Sequence, residues 1–91
     1  MRKEYLFISD AGHGWLKVTK EEIEEIKDRI SGFSYMKGND VYLEEDCDET
    51  LFRDLLESKG IYQQDLKFKW VDHSNKPNGN SPIRQYERYH V

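Results

Sequence analysis

The chain has 91 residues and a formal net charge of −4, with 36% hydrophobic, 35% charged and 13% aromatic residues. That is the balance of a small soluble globular domain rather than of a disordered or fibrous chain. No apolar run approaches the roughly 20 residues a membrane span needs, Met1 to Asp10 lacks the apolar core and small-residue cleavage site of a signal peptide, and the single cysteine, Cys47, excludes an intramolecular disulfide framework. One domain over residues 1–91, cytoplasmic and without a membrane partner, is expected.

Lys3 to Ser9 is rich in aromatic and β-branched residues and stops at Asp10-Ala-Gly-His-Gly14, the pattern of a first strand ending in a glycine loop. Trp15 to Val18 reads as a short second strand. Thr19 followed by Glu22 fits a capping box, and Ile23, Ile26 and Ile30 share a helical face, so a helix is predicted over about 20–30. Ser31-Gly32 ends it. Phe33 to Met36 and Val41 to Glu44 then form a hairpin around Gly38 and Asn39.

Glu45 to Asp48 gathers negative charge before a second helix over about 49–59, with Leu51, Phe52, Leu55 and Leu56 as its apolar stripe, Gly60 as its stop and Asp48 as a candidate cap. Leu66, Phe68 and Trp70 alternate with Lys67, Lys69 and Val71 in a half-buried strand. Asp72 to Ser81 is a polar loop. Residues 82–91 read either as a strand, with Arg84, Tyr86 and Arg88 on one side, or as a short helix. The expected fold is therefore α+β, a mixed or antiparallel sheet in the order β-β-α-β-β-α-β-β packed on two helices. Tyr35, Phe52, Phe68 and Trp70 are the expected aromatic core, because they lie in periodic segments, whereas Trp15, Tyr86 and Tyr89 adjoin loops or charges.

The charge is uneven along the chain: residues 1–60 sum to −6 and residues 61–91 to +2. The acidic balance argues against stable nucleic-acid binding, which needs a net basic footprint. Anion binding is expected to use the last third. There Arg84 and Arg88 offer planar forks of donors matched to phosphate, and Tyr86 supplies an aromatic face for a base. The loop Gly12, His13, Gly14 with Trp15 is a second anion-binding candidate, since successive backbone amides in a glycine-rich turn converge on an anion. The same residues of each segment also suit plain structure. The glycines fit a tight turn at positive φ, and the arginines fit an edge strand paired with acids.

No two of His13, His73, His90 and Cys47 stand at metal-ligand spacing, so no metal and no cofactor are expected. The carboxylates around Cys47 raise its pKa and argue against a thiolate nucleophile. An enzyme with His13 as general acid or base beside Asp10, and Arg84 as stabiliser of a phosphoester, lacks a nucleophile motif. No catalytic residue is assigned.

Three stretches, Tyr5–Val18 (YLFISDAGHGWLKV), Val41–Asp48 (VYLEEDCD) and Ser81–Tyr89 (SPIRQYERY), resemble a family of small uncharacterised proteins encoded by bacteriophages, prophages and plasmids. The likeness covers nearly the whole chain. It implies a genetic context rather than a reaction: accessory proteins of this kind antagonise host defence, by occupying a defence protein or by sequestering a nucleotide signal. Joined to the Gly/His loop, the Arg/Tyr cluster and the surplus aromatics, it leads to the expectation of a non-enzymatic homo-oligomer that binds a small anionic ligand, a nucleotide, through Gly12, His13, Gly14, Trp15, Arg84, Tyr86 and Arg88. The rival expectation is an acidic inhibitor that docks through helix one and Glu44 to Glu49 on a host defence or nucleic-acid-binding protein.

Overall fold

Tyr5 to Ile8 is apolar on both sides of the pleat, and such a run belongs in the middle of a sheet covered on two faces. The structure, a computed structural model describing residues 4–91, places it there. Strands β1 (Glu4–Ser9), β2 (Gly14–Thr19), β3 (Tyr35–Lys37), β4 (Asp40–Glu44), β5 (Lys67–Asp72) and β6 (Glu87–Arg88) form one sheet in the order β5-β1-β2-β4-β3-β6. β1 and β5 run parallel and the other neighbours antiparallel, so the α+β fold carries a mixed sheet. Lys3, expected in the first strand, lies outside the described residues. No described helix is long and apolar enough to cross a membrane.

One face of the sheet presents Tyr5, Phe7, Leu16, Val18, Met36, Val41 and Leu43. Against it pack Phe52, Leu55 and Leu56 from the helix α1 (Asp48–Ser58), with Ile23, Ile26 and Ile30. The second helix agrees with the expectation to within a residue. The first does not. Glu21–Ile26 is a 3-10 helix, followed by turns rather than an α-helix to residue 30. Thr19 and Glu22 do close the capping box, each side chain accepting the other's backbone N–H. Beyond it, Glu21, Glu24 and Glu25 repel at i,i+3 and i,i+4 and no basic residue answers the last turn. Three residues per turn still aligns Ile23 with Ile26 toward the core.

Asp48 is not the cap of α1. It is the first helical residue, and its buried carboxylate accepts from the Ser31 N–H, the Ser31 hydroxyl and the Ser34 hydroxyl, tying the helix start to the chain entering β3.

The opposite face carries Ile8, Trp15 and Tyr42, closed by Ile83 with Tyr35, Tyr86 and Val71 at its margin. The C-terminal segment unites both sequence readings: a 3-10 turn over Pro82–Gln85, then the two-residue strand β6 on β3. Ser81 caps the turn, its hydroxyl accepting the Ile83 N–H, and Pro82 sits at the first position, where its missing N–H costs nothing.

Two aromatics reverse their expected roles. Trp15 is 1% exposed because β2 is internal and the C-terminal turn lies over it, whereas Trp70 is 67% exposed because β5 is an edge strand and its ring covers only the rim of Phe7, 4.5 Å away. Tyr89 is likewise buried, its hydroxyl donating to the Lys27 carbonyl at 2.8 Å. Phe52 is fully buried as expected, and Tyr35 and Phe68 are half-buried.

Candidate functional site

A cleft of about 410 Å³ opens on the face opposite the helix, within the range of about 300–1,000 Å³ common for small-molecule sites. The pleat decides which side chains reach it. Trp15 and Glu44 are directly paired across β2 and β4, and Tyr42, Tyr35 and Arg88 are successive partners across β4, β3 and β6, so these residues share one face. Of the expected ligand residues, His13, Trp15, Arg84 and Arg88 line the cleft, and Tyr35, Phe33, Glu44, Asp46 and Cys47 join them.

The other three expected residues do not line it. Tyr86 packs against Tyr42 at 5.3 Å with the Lys37 ammonium 4.8 Å from its ring, which makes it a cover for the rear of the sheet. Gly12 and Gly14 serve packing instead. A Cβ at Gly14 would sit 2.6 Å from the Phe7 ring, on the helix side of the sheet, and one at Gly12 would crowd Arg84 at 3.1 Å. Neither adopts the positive φ expected of a tight turn; among the described residues that conformation falls on Gly38, Gly60, Gly79 and Asn78.

The loop is ordered by Asp10 instead of by an anion. Its buried carboxylate accepts the backbone N–H groups of Gly12, His13 and Ser81 and two hydrogen bonds from Arg84, through Nε at 2.6 Å and Nη2 at 2.9 Å. The Arg84 guanidinium, opposed by burial and helped by the three amides, holds the Asp10 carboxyl well below the usual carboxylate range. Arg84 is thereby fixed over Trp15, with Cζ 5.7 Å from the ring. Two of its N–H donors are committed to Asp10 out of the five a guanidinium carries.

Arg88 is placed differently. It is exposed, donates one hydrogen bond to the Gly32 carbonyl at 3.0 Å and lies over the Tyr35 ring at 5.4 Å. No carboxylate pairs with it among the described residues. Phe33, 63% exposed, stands at the mouth, and Tyr35 meets Trp15 edge to face at 6.2 Å.

Trp15 carries the one buried side-chain polar atom without a hydrogen-bond partner among the described residues, its Nε1. An unsatisfied buried donor costs about 1–3 kcal/mol. Glu44 is its cross-strand neighbour. The Glu44 carboxylate is 11% exposed and 3.7 Å from His13 Nδ1, accepts the Asp46 N–H at 3.2 Å and takes the Cys47 thiol. That contact, then burial and the charges of Glu44, Asp48 and Asp46, push the Cys47 thiol up, as the sequence suggested.

Several other acids are engaged inside the chain. Glu24 pairs with Lys27, Glu25 with Lys59 and Glu49 with Arg53, while Asp48 holds the two serines. Among the described residues no group of three His, Cys, Asp or Glu side chains is arranged to hold a metal ion. Sequence reasoning missed Phe33, Tyr35, Glu44, Asp46 and Cys47 as cleft residues. The signal was the hairpin itself, whose alternation puts Tyr35, Tyr42 and Glu44 on one face once the register is known. Comparison of the chain with family models, with curated proteins and with solved structures gives no match.

Proposed function

We propose that the protein is a non-enzymatic binding protein that captures a small anionic ligand, a nucleotide, in the cleft between Trp15, Tyr35, Phe33, Arg84 and Arg88. The carrying observation is that this cleft combines aromatic side chains with two guanidinium groups. Phe33 and Tyr35 offer faces for a base, and Arg88 neutralises the phosphate. Arg84 shapes the wall and contributes its uncommitted donors.

Capture is favoured over catalysis by the state of Asp10. A carboxylate saturated by Arg84 and three amides is a structural anchor, not a proton carrier for His13. The resemblance to phage- and plasmid-encoded proteins supplies the setting, sequestration of a nucleotide immune signal by a homo-oligomeric accessory protein. The acidic-docking reading keeps Glu45 and Asp46 as exposed carboxylates, while Glu24 and Glu25 carry lysine partners of their own.

The test is native mass spectrometry of protein purified gently from cells carrying an active nucleotide-signalling defence system, joined to titration calorimetry with nucleoside monophosphates. A phosphorylated small molecule at one copy per site, and affinity lost in Arg88→Ala, are expected. Protein that emerges empty and gives no heat with any nucleotide overturns the reading.

A further inference from the structure

We propose that the cleft takes a nucleotide with a single phosphoryl group and turns polyphosphates away, with Glu44 and Asp46 setting that limit, an inference that rests on the nucleotide reading above. The charges lining the cleft do not add up to a strong anion site. Arg84 is committed to Asp10, through two hydrogen bonds to a carboxylate with no exposed side-chain surface. Arg88 is then the one cleft guanidinium that no carboxylate pairs among the described residues. Against it stand two cleft carboxylates that no lysine or arginine answers among the described residues, Glu44 and Asp46. Glu44 is held in place at the end of β4, where its backbone N–H donates to the Ser34 hydroxyl at 3.0 Å and that hydroxyl donates to Asp48. The contacts of its carboxylate come from His13, the Asp46 N–H and the Cys47 thiol, and His13 offsets its charge only when protonated.

The strand register gives the span between the two signs of charge. Arg88 pairs with Tyr35 and Tyr35 with Tyr42, so Arg88 stands two strands from β4, and Glu44 lies two residues beyond Tyr42 on the same face. With strands about 4.8 Å apart and a rise of about 3.4 Å per residue, the backbones of Arg88 and Glu44 are about 12 Å apart. That is close to the Debye length of about 8–10 Å, and side chains lining one cleft approach more nearly than their backbones, so the carboxylates act on any charge placed beside Arg88. A first phosphate there answers the free guanidinium. A second and a third enter a cleft whose remaining uncompensated charges are both negative, with no further free cation among the described lining residues to receive them. Sites that hold polyphosphates supply several cations or a metal ion for that purpose. The polarity of this cleft instead matches one phosphate at one end and an uncharged base at the other.

The experiment is calorimetric titration of the purified chain with the mono-, di- and triphosphates of the four ribonucleosides, at pH 8 and without divalent cations, so that members of one series share base and sugar and differ only in phosphate number. Within each base that binds, affinity is expected to fall from mono- to di- to triphosphate, the triphosphate being about 3- to 10-fold weaker at low salt. The gap is expected to close at about 0.5 M salt, where screening shortens the reach of the carboxylates. Asp46→Asn removes an exposed carboxylate that holds no hydrogen bond or ion pair among the described residues, so the variant is expected to fold and to narrow the gap. Adding Glu44→Gln, whose amide oxygen still accepts the Asp46 N–H, is expected to reverse the order. A triphosphate that binds wild type more tightly than its monophosphate overturns the limit, and loss of both in Arg88→Ala then leaves the nucleotide reading standing. A gap unchanged by salt and by Asp46→Asn shows that length rather than charge excludes the longer ligands, and removes Glu44 and Asp46 from that role. If no nucleotide of any series binds the wild-type chain, both readings fall.

Discussion

Asp10 and Arg84 are 74 residues apart in the chain and close on each other through two hydrogen bonds, making the clamp that fixes the glycine loop against the C-terminal turn. The two partners are not equivalent. Asp10→Ala strands the guanidinium and also the amides of Gly12, His13 and Ser81, so a loss of roughly 3–5 kcal/mol is expected, as for breaking a buried pair. Arg84→Ala leaves Asp10 with its three amide donors, so a smaller loss of about 1–3 kcal/mol is expected. Urea unfolding of the two variants checks the order, and equal losses would contradict the amide anchor.

The same clamp makes stability acid-sensitive. The folded-state pKa of Asp10 lies below that of an unfolded aspartate, so its contribution is complete above about pH 4 and declines as pH falls further, when the unfolded chain takes up a proton that the folded chain refuses. Unfolding free energies measured from pH 6 to pH 2.5 are expected to fall more steeply for wild type than for Asp10→Asn. Parallel curves would remove Asp10 from the acid response.

Gly14 is a packing glycine. Its absent side chain admits the Phe7 ring at 2.6 Å from the Cβ position, so Gly14→Ala overpacks the helix face and is expected to cost about 1–3 kcal/mol. Phe7→Leu shortens the intruding ring, and the penalty of Gly14→Ala should shrink in that background. A double-mutant cycle reads the coupling directly, and additive losses would show that the ring does not set the requirement for glycine.

How far the sequence carried depends on the kind of signal each segment held. Strands β1, β2 and β4 and the helix α1 were readable because their apolar periods have one solution. The 3-10 helix at Glu21–Ile26 was not, since Ile23 and Ile26 satisfy either helical period and the repulsion among the glutamates decides. His13, Trp15, Arg84 and Arg88 were gathered from loop chemistry and do meet in one cleft, but Tyr35 and Glu44 needed the register of three strands. Trp15 and Trp70 were exchanged between core and surface because strand order, which no local pattern encodes, made β2 internal and β5 an edge.

Trp70 offers the remaining test, of the homo-oligomer that the proposed function includes. The Trp70 ring, 67% exposed on the edge strand β5, is the surface at which association through that edge can be tested. If copies of the chain associate through β5, Trp70→Lys places a charge in that contact and is expected to shift native mass spectra from dimer toward monomer, with little change in melting temperature because Trp70 covers only the rim of Phe7. The cleft lies on the other side of the sheet from the Trp70 ring, so nucleotide affinity should be retained per chain. A wild-type protein that stays monomeric across the micromolar range would refute association at this edge, and a Trp70→Lys variant that stays dimeric would place the contact elsewhere.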